Sequence, residues 1–263
     1  MRNRDAVRVG TVAVSIVLAL VGSAIGSGAF GGTPIQDAAG GALAADATLL
    51  APGTGAFQIW SVIYLGLIAY AVLQALPGQR HSDRQRRIGW LAAASMLLNA
   101  AWILSVQFGL LLLSVPVIVG LLLVLVALVL RLGPAASLPQ RILTDGVFGL
   151  YLGWVAIATV ANVTALLQQA GFSGAGVAPE AWAVVVLAVA VGIGVATSLR
   201  TGGRVAPALS LAWGLAWIAV ARAVGQPQSA LVTTVAAVAA ALVLAAPLLV
   251  RLRVRNGVRS SAA

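Results

Sequence analysis

Three short stretches carry the residues best suited to recognition chemistry. Phe57, Trp60 and Tyr64 recur at i, i+3, i+7 in "FQIWSVIY", and Asn99 and Trp102 at i, i+3 in "LLNAAW". In "YLGWVAIATVAN", Tyr151, Trp154 and Asn162 fall within about 80° of one another on a helix of 100° per residue. Gly149 and Gly153 fall on the opposite side, a spacing suited to close helix contact in lipid. Indole and phenol rings offer flat stacking surfaces, and their N–H and O–H groups, with the two amides, offer a few directed hydrogen bonds. That is equipment for holding a flat, largely apolar molecule.

Bond-making chemistry has little to work with. The chain has no Cys, which removes thiol catalysis, disulfides and thiolate metal sites. His81 is the only His and lies in a polar connection, where it reads as a solvated side chain; a metal site needs further ligands. No Asp or Glu lies well inside an apolar run, and Asp37 and Asp46 stand nine residues apart with no supporting motif. General acid–base and metal-assisted reactions are therefore not expected, and neither a catalytic residue nor a cofactor is assigned. An ion-coupled transporter would also call for a charged group within the membrane.

These side chains must be positioned by helices in lipid. Of 263 residues, 61% are hydrophobic and 8% charged, and the mean hydropathy is +1.04; a soluble domain carries about a quarter charged residues. Apolar runs of about 20 residues recur, each long enough to cross a hydrocarbon core of roughly 30 Å. We read an all-α, polytopic helical membrane protein with eight spans: 7–28, 56–76, 88–108, 110–132, 147–170, 181–199, 205–224 and 229–250. The third and fourth are divided near Gln107 to Gly109, because a single helix of about 45 residues would reach about 67 Å. Asp145, just ahead of the fifth span, reads as an N-cap.

The net charge of +10 comes with sixteen Arg and no Lys. These residues fall at the ends of apolar runs and form no face with aromatics, which excludes nucleic acid as a partner. Arg2, Arg4, Arg8, Arg80, Arg84, Arg86, Arg87, Arg131, Arg141, Arg200, Arg204, Arg251, Arg253, Arg255 and Arg259 all fall on one side of an eight-span topology. The rule that positive charge stays inside then places both termini in the cytoplasm, in a multi-pass protein of the plasma membrane. Only Arg222 falls on the other side, near a helix end from which it can snorkel to the interface. The first span also has the layout of a signal peptide, whose removal would leave seven spans. The external stretch 29–55, rich in Gly and Ala, is either a tether or a lid over an outward-facing pocket.

For the aromatics the alternative is an interfacial belt, which Trp60 near the end of its span would fit. For Asn99 and Asn162 it is interhelical hydrogen bonding worth about 0.6 kcal/mol each. Trp213 and Trp217, at i, i+4 in "LAWGLAW", either extend a pocket or serve packing.

Together, "FQIWSVIYLGLIAYAVLQAL", "GWLAAASMLLNAAW" and "YLGWVAIATVAN" resemble the second, third and fifth helix signatures of the TspO/MBR family of tryptophan-rich sensory proteins and translocator proteins. Trp60, Tyr64, Asn99, Trp102, Tyr151, Trp154 and Asn162 are the matching positions. Leu150 and Gln58 stand where the family usually has Pro. The resemblance covers roughly residues 7–170. It implies a five-helix bundle over 1–170, followed by a three-helix extension over 171–263. It also implies a pocket under the first external loop that takes porphyrins, haem-like tetrapyrroles or other flat hydrophobic molecules, often in a homodimer. The expected function is a membrane ligand-binding or sensory protein; the alternative is a transporter or facilitator of a small hydrophobic solute.

Overall fold

The computed structural model describes residues 2–28 and 33–260; residues 29–32 of the expected loop and the side chains of Arg2, Arg255 and Arg259 lie outside the description. Eight helices are long and apolar enough to cross a membrane, and no strand occurs among the described residues. They are α1 (Arg2–Gly26), α2 (Ile59–Ala75), α3 (Asp83–Gln107), α4 (Leu111–Arg131), α5 (Val147–Gln169), α6 (Pro179–Arg200), α7 (Val205–Val224) and α8 (Ala230–Ser260). Large apolar side chains such as Val62, Leu65, Leu112, Leu123 and Val238 are exposed on their outer faces. In water such surface would be a liability, whereas in lipid it is the solvated face.

The ends of the elements follow local chemistry. Ser82 caps α3 by accepting a hydrogen bond from the Gln85 backbone N–H at 3.3 Å. Between α3 and α4 the chain turns in three residues. Gly109 takes a left-handed φ of 71°, and the Leu110 N–H reaches back to the Ser105 carbonyl at 2.8 Å. This satisfies carbonyls that the helix end would leave open, in a conformation that favours a residue without Cβ. The final helix runs about ten residues past the expected end at 250. The leucines and arginines of this stretch are good helix formers, and no Pro follows Pro247 to stop it.

Two expectations are corrected. Asp145 is not an N-cap: the chain is already helical from Leu138, capped by Ser137, and Asp145 sits in a wide helical turn, Arg141–Gly146, that leads into α5. Its carboxylate pairs instead with Arg84 at the start of α3 and with Arg204, 2.7 Å away, at the start of α7. Arg222 does not snorkel. It is 1% exposed, and its guanidinium donates to the carbonyls of Thr48 and Pro227, each at 3.1 Å, and of Ala45. Two of these carbonyls are brought by the long first loop, so the guanidinium finds its acceptors in protein backbone.

Packing closes the first five helices into a ring in the order α1, α3, α4, α5, α2. Its apolar core includes Ile63, Leu67, Met96, Leu121, Leu125 and Phe148. A second core, with Leu187, Leu211, Leu215, Ile218 and Val243, joins α6, α7 and α8. The two meet where α5 lies along α7. There Gly149 faces Ala206 and Pro207, and Gly153 faces the Pro207 carbonyl and Ser210, so the glycine pair read from the sequence forms the seam.

The arginine-rich connections gather at one end of the molecule. Asp5 of α1 binds Arg86 of α3 at 2.7 Å and His81 at 3.0 Å, so His81 is paired and not merely solvated. Arg8, 1% exposed, donates to Gln74 at 3.0 Å. The long first loop lies at the other end, anchored into the first core by Ala38, Leu43 and Ala56 and into the second by Leu50.

Candidate ligand-binding site

The side chains singled out by spacing converge inside the five-helix ring. Trp60 of α2 is the hub: its ring centroid lies 5.4 Å from Tyr64, 5.9 Å from Tyr151, 6.2 Å from Trp154 and 6.4 Å from Trp102. The Trp60 and Trp102 planes are stacked, whereas Tyr151 and Trp154 meet Trp60 edge-on. Phe57, on the turn before α2, closes the group against Trp154 at 5.9 Å. Both geometries are the favoured ones for π-systems.

Burial decides the belt question for two of these residues. Trp102 is 3% and Trp154 1% exposed; a belt residue would face the headgroups. Trp60 is half-buried, and the outward-facing tryptophans are instead Trp90, Trp182 and Trp213. Helical periodicity explains the difference, because each clustered ring shares its face with an amide or phenol that lipid would not tolerate.

The polar groups tie four helices together. Tyr64 Oη donates to Asn99 Oδ1 at 3.2 Å, and Tyr151 Oη to the Ser95 carbonyl at 3.1 Å. Trp102 Nε1 donates to Asn162 Oδ1 at 2.6 Å, while Asn162 Nδ2 donates to Ser114 Oγ of α4 at 2.8 Å. Ser114 and Ser95 were not among the expected site residues. Ser114 was readable as the one polar group in "LLLSVPVIV", but nothing in the spacing pairs it with Asn162. Among the residues of this cluster two buried donors are without a partner: Trp154 Nε1 and Asn99 Nδ2. An orphan donor in an apolar interior costs free energy that an acceptor brought by a ligand would recover.

Asn162→Ala leaves the buried Trp102 N–H without an acceptor, so a loss of about 1–3 kcal/mol is expected, more than the average of about 0.6 kcal/mol for interhelical bonds in lipid. Thermal unfolding in detergent, with Asn162→Ala beside Ser114→Ala, measures it. A loss no greater than for Ser114→Ala would show that the indole finds another partner.

An eight-helix membrane protein with an aromatic and amide cluster enclosed by a ring of five helices is the class these features define. The chain belongs to the TSPO-like protein family, whose model matches residues 11–249. That match runs through all eight helices, beyond the stretch 7–170 that carries the signatures. No curated protein and no solved structure matches the chain.

Proposed function

We propose that the protein is a ligand-binding or sensory membrane protein of TspO type and not an enzyme. It takes a flat, largely apolar molecule of the porphyrin or haem-like class among Trp60, Tyr64, Asn99, Trp102, Tyr151, Trp154 and Asn162. The observation that carries this reading is the pair of unpartnered buried donors, Trp154 Nε1 and Asn99 Nδ2, on residues of a six-ring cluster and its amides. A core serving packing alone would be filled more cheaply by aliphatic residues. The rings pack on one another, so a ligand enters by displacing Trp60, the least buried of the tryptophans in the cluster, and stacks in its place. Asn162 acts through Trp102, holding its indole in plane. In this reading residues 1–170 form the binding module and 171–263 support it, with the arginine-rich end in the cytoplasm.

Titration of the detergent-solubilised protein with protoporphyrin and with haem, followed by Trp fluorescence quenching, is expected to saturate. Trp154→Phe removes a donor and part of a stacking face, and should weaken binding roughly 3–30-fold, corresponding to about 0.5–2 kcal/mol. Asn162→Ala should weaken it less. Quenching that never saturates, or that both variants leave unchanged, would sink the proposal.

A further inference from the structure

One helix of the C-terminal half, α7, holds the long first loop at four places. The Gly53 N–H donates to the Trp217 carbonyl at 3.1 Å, and Trp213 Nε1 to the Ala56 carbonyl at 3.0 Å. Arg222 donates to the carbonyls of Thr48 and Ala45. The Trp217 ring lies against Gly53 and Gly55, so closely that a Cβ at Gly55 would overlap three ring atoms. Beside these contacts a groove of about 520 Å³ opens between the loop and the end of α7, lined by Asp46, Gly53, Gly55, Trp217, Val220 and Arg222. That volume falls in the range of small-molecule sites.

Trp217 faces both ways. It lines the groove, and it also packs against the core that contains Tyr64, Trp102, Tyr151 and Trp154. The segment under its ring, Gly53 to Ala56, leads within one residue into Phe57 and the start of α2. We propose that α7 is a latch: Trp217 and Arg222 hold the loop shut, the groove is the mouth of the site, and a flat apolar ligand passes inward when the Trp217 ring lifts from Gly53 and Gly55. This rests on the aromatic cluster being the ligand site. Arg222 suits such a device because its guanidinium bonds to backbone carbonyls, which can be released as a unit with the loop. Gly55 suits it because the ring rests on bare backbone with no side chain interlocked.

The chain has no Cys, so Ala56→Cys introduces a single thiol at a residue that is 0% exposed. Its reaction with a water-soluble maleimide in detergent reports loop opening, with Gln58→Cys as an exposed reference and Ala92→Cys as a buried reference in α3. We expect the Ala56→Cys thiol to react slowly. Adding Trp217→Ala, Arg222→Met or Gly55→Ala should each accelerate it about tenfold or more, because a locally opening segment is labelled in proportion to its open fraction. The Ala92→Cys rate should not move. Gly55→Ala adds one methyl beneath the ring and leaves the helices untouched, so it tests the latch even where Trp217→Ala folds poorly. The latch is overturned by unchanged labelling in Gly55→Ala and Arg222→Met, by native labelling as fast as Gln58→Cys, or by acceleration shared with Ala92→Cys. Labelling needs no ligand. Faster labelling without porphyrin binding would leave the latch standing and remove the ligand reading, and the reverse pattern would do the opposite.

Discussion

Asp145→Ala is expected to lower stability by about 3 kcal/mol, toward the lower end of the roughly 3–5 kcal/mol lost when one partner leaves a buried ion pair. The carboxylate side chain is 13% exposed and lies between Arg84, 8% exposed, and Arg204, 23% exposed. Both guanidiniums also reach carbonyls of the connection after α4. Arg84 donates to Gly133 at 3.2 Å and Arg204 to Leu132 at 2.8 Å. Removing Asp145 therefore leaves two cations held side by side. Arg204 can turn toward water, but Arg84 cannot, and this asymmetry sets the loss at the lower end of the range. Thermal unfolding in detergent measures it. Adding Arg84→Met to Asp145→Ala should restore a substantial part, since an apolar side chain of similar length removes the orphaned charge. If the double variant is no more stable than the single one, the cost lies in the wide turn itself and not in the charges.

The same triad shows where sequence reasoning stops. Arg84 and Arg204 were readable as topology markers because the membrane sorts positive charge by side, a rule that works on single residues. Their pairing with Asp145 was not, because it depends on the starts of α3, α5 and α7 meeting at one end. Arg222 shows this more sharply. A lone arginine near the end of an apolar helix usually extends toward the headgroups. Only the path of the loop, which returns Ala45 and Thr48 to the flank of α7, makes burial the better solution.

The helices themselves were legible because length and apolarity are imposed residue by residue in lipid. The boundaries of α7 agree with the sequence and those of α4 to within one residue, whereas the helical run that ends as α5 already begins at Leu138, nine residues before the expected start. The faces of α2, α3 and α5 were legible through the helical period, so the set from Trp60 to Asn162 could be assembled without coordinates. Which rings touch was not, because that depends on the order of helices around the ring. Periodicity gives each helix a face but no neighbour. The partnerless state of Trp154 Nε1 and Asn99 Nδ2 is also invisible in sequence, where every polar group looks equally able to find a partner.

Gly153→Val should produce a loss of about 3 kcal/mol or more, at or beyond the usual cost of overpacking. A Cβ there would run into the Pro207 carbonyl oxygen, Ser210 Oγ and the Leu211 backbone nitrogen. Two of those three are main chain and cannot turn aside, so α5 and α7 have to part. Gly149→Ala should cost less, because its nearest obstacles are the Ala206 methyl and the Pro207 ring. Gly120→Ala on α4 meets nothing within 4 Å and should be neutral or slightly stabilising through helix propensity. Unfolding temperatures ordered Gly120→Ala, Gly149→Ala, Gly153→Val from high to low would establish the seam; equal values would refute it. The seam also carries α7 to the first loop, so parting it should accelerate maleimide labelling of the Ala56→Cys thiol. If Gly153→Val falls in stability while that thiol stays protected, then Trp217 and Arg222 hold the loop without help from α5, and the latch belongs to α7 alone.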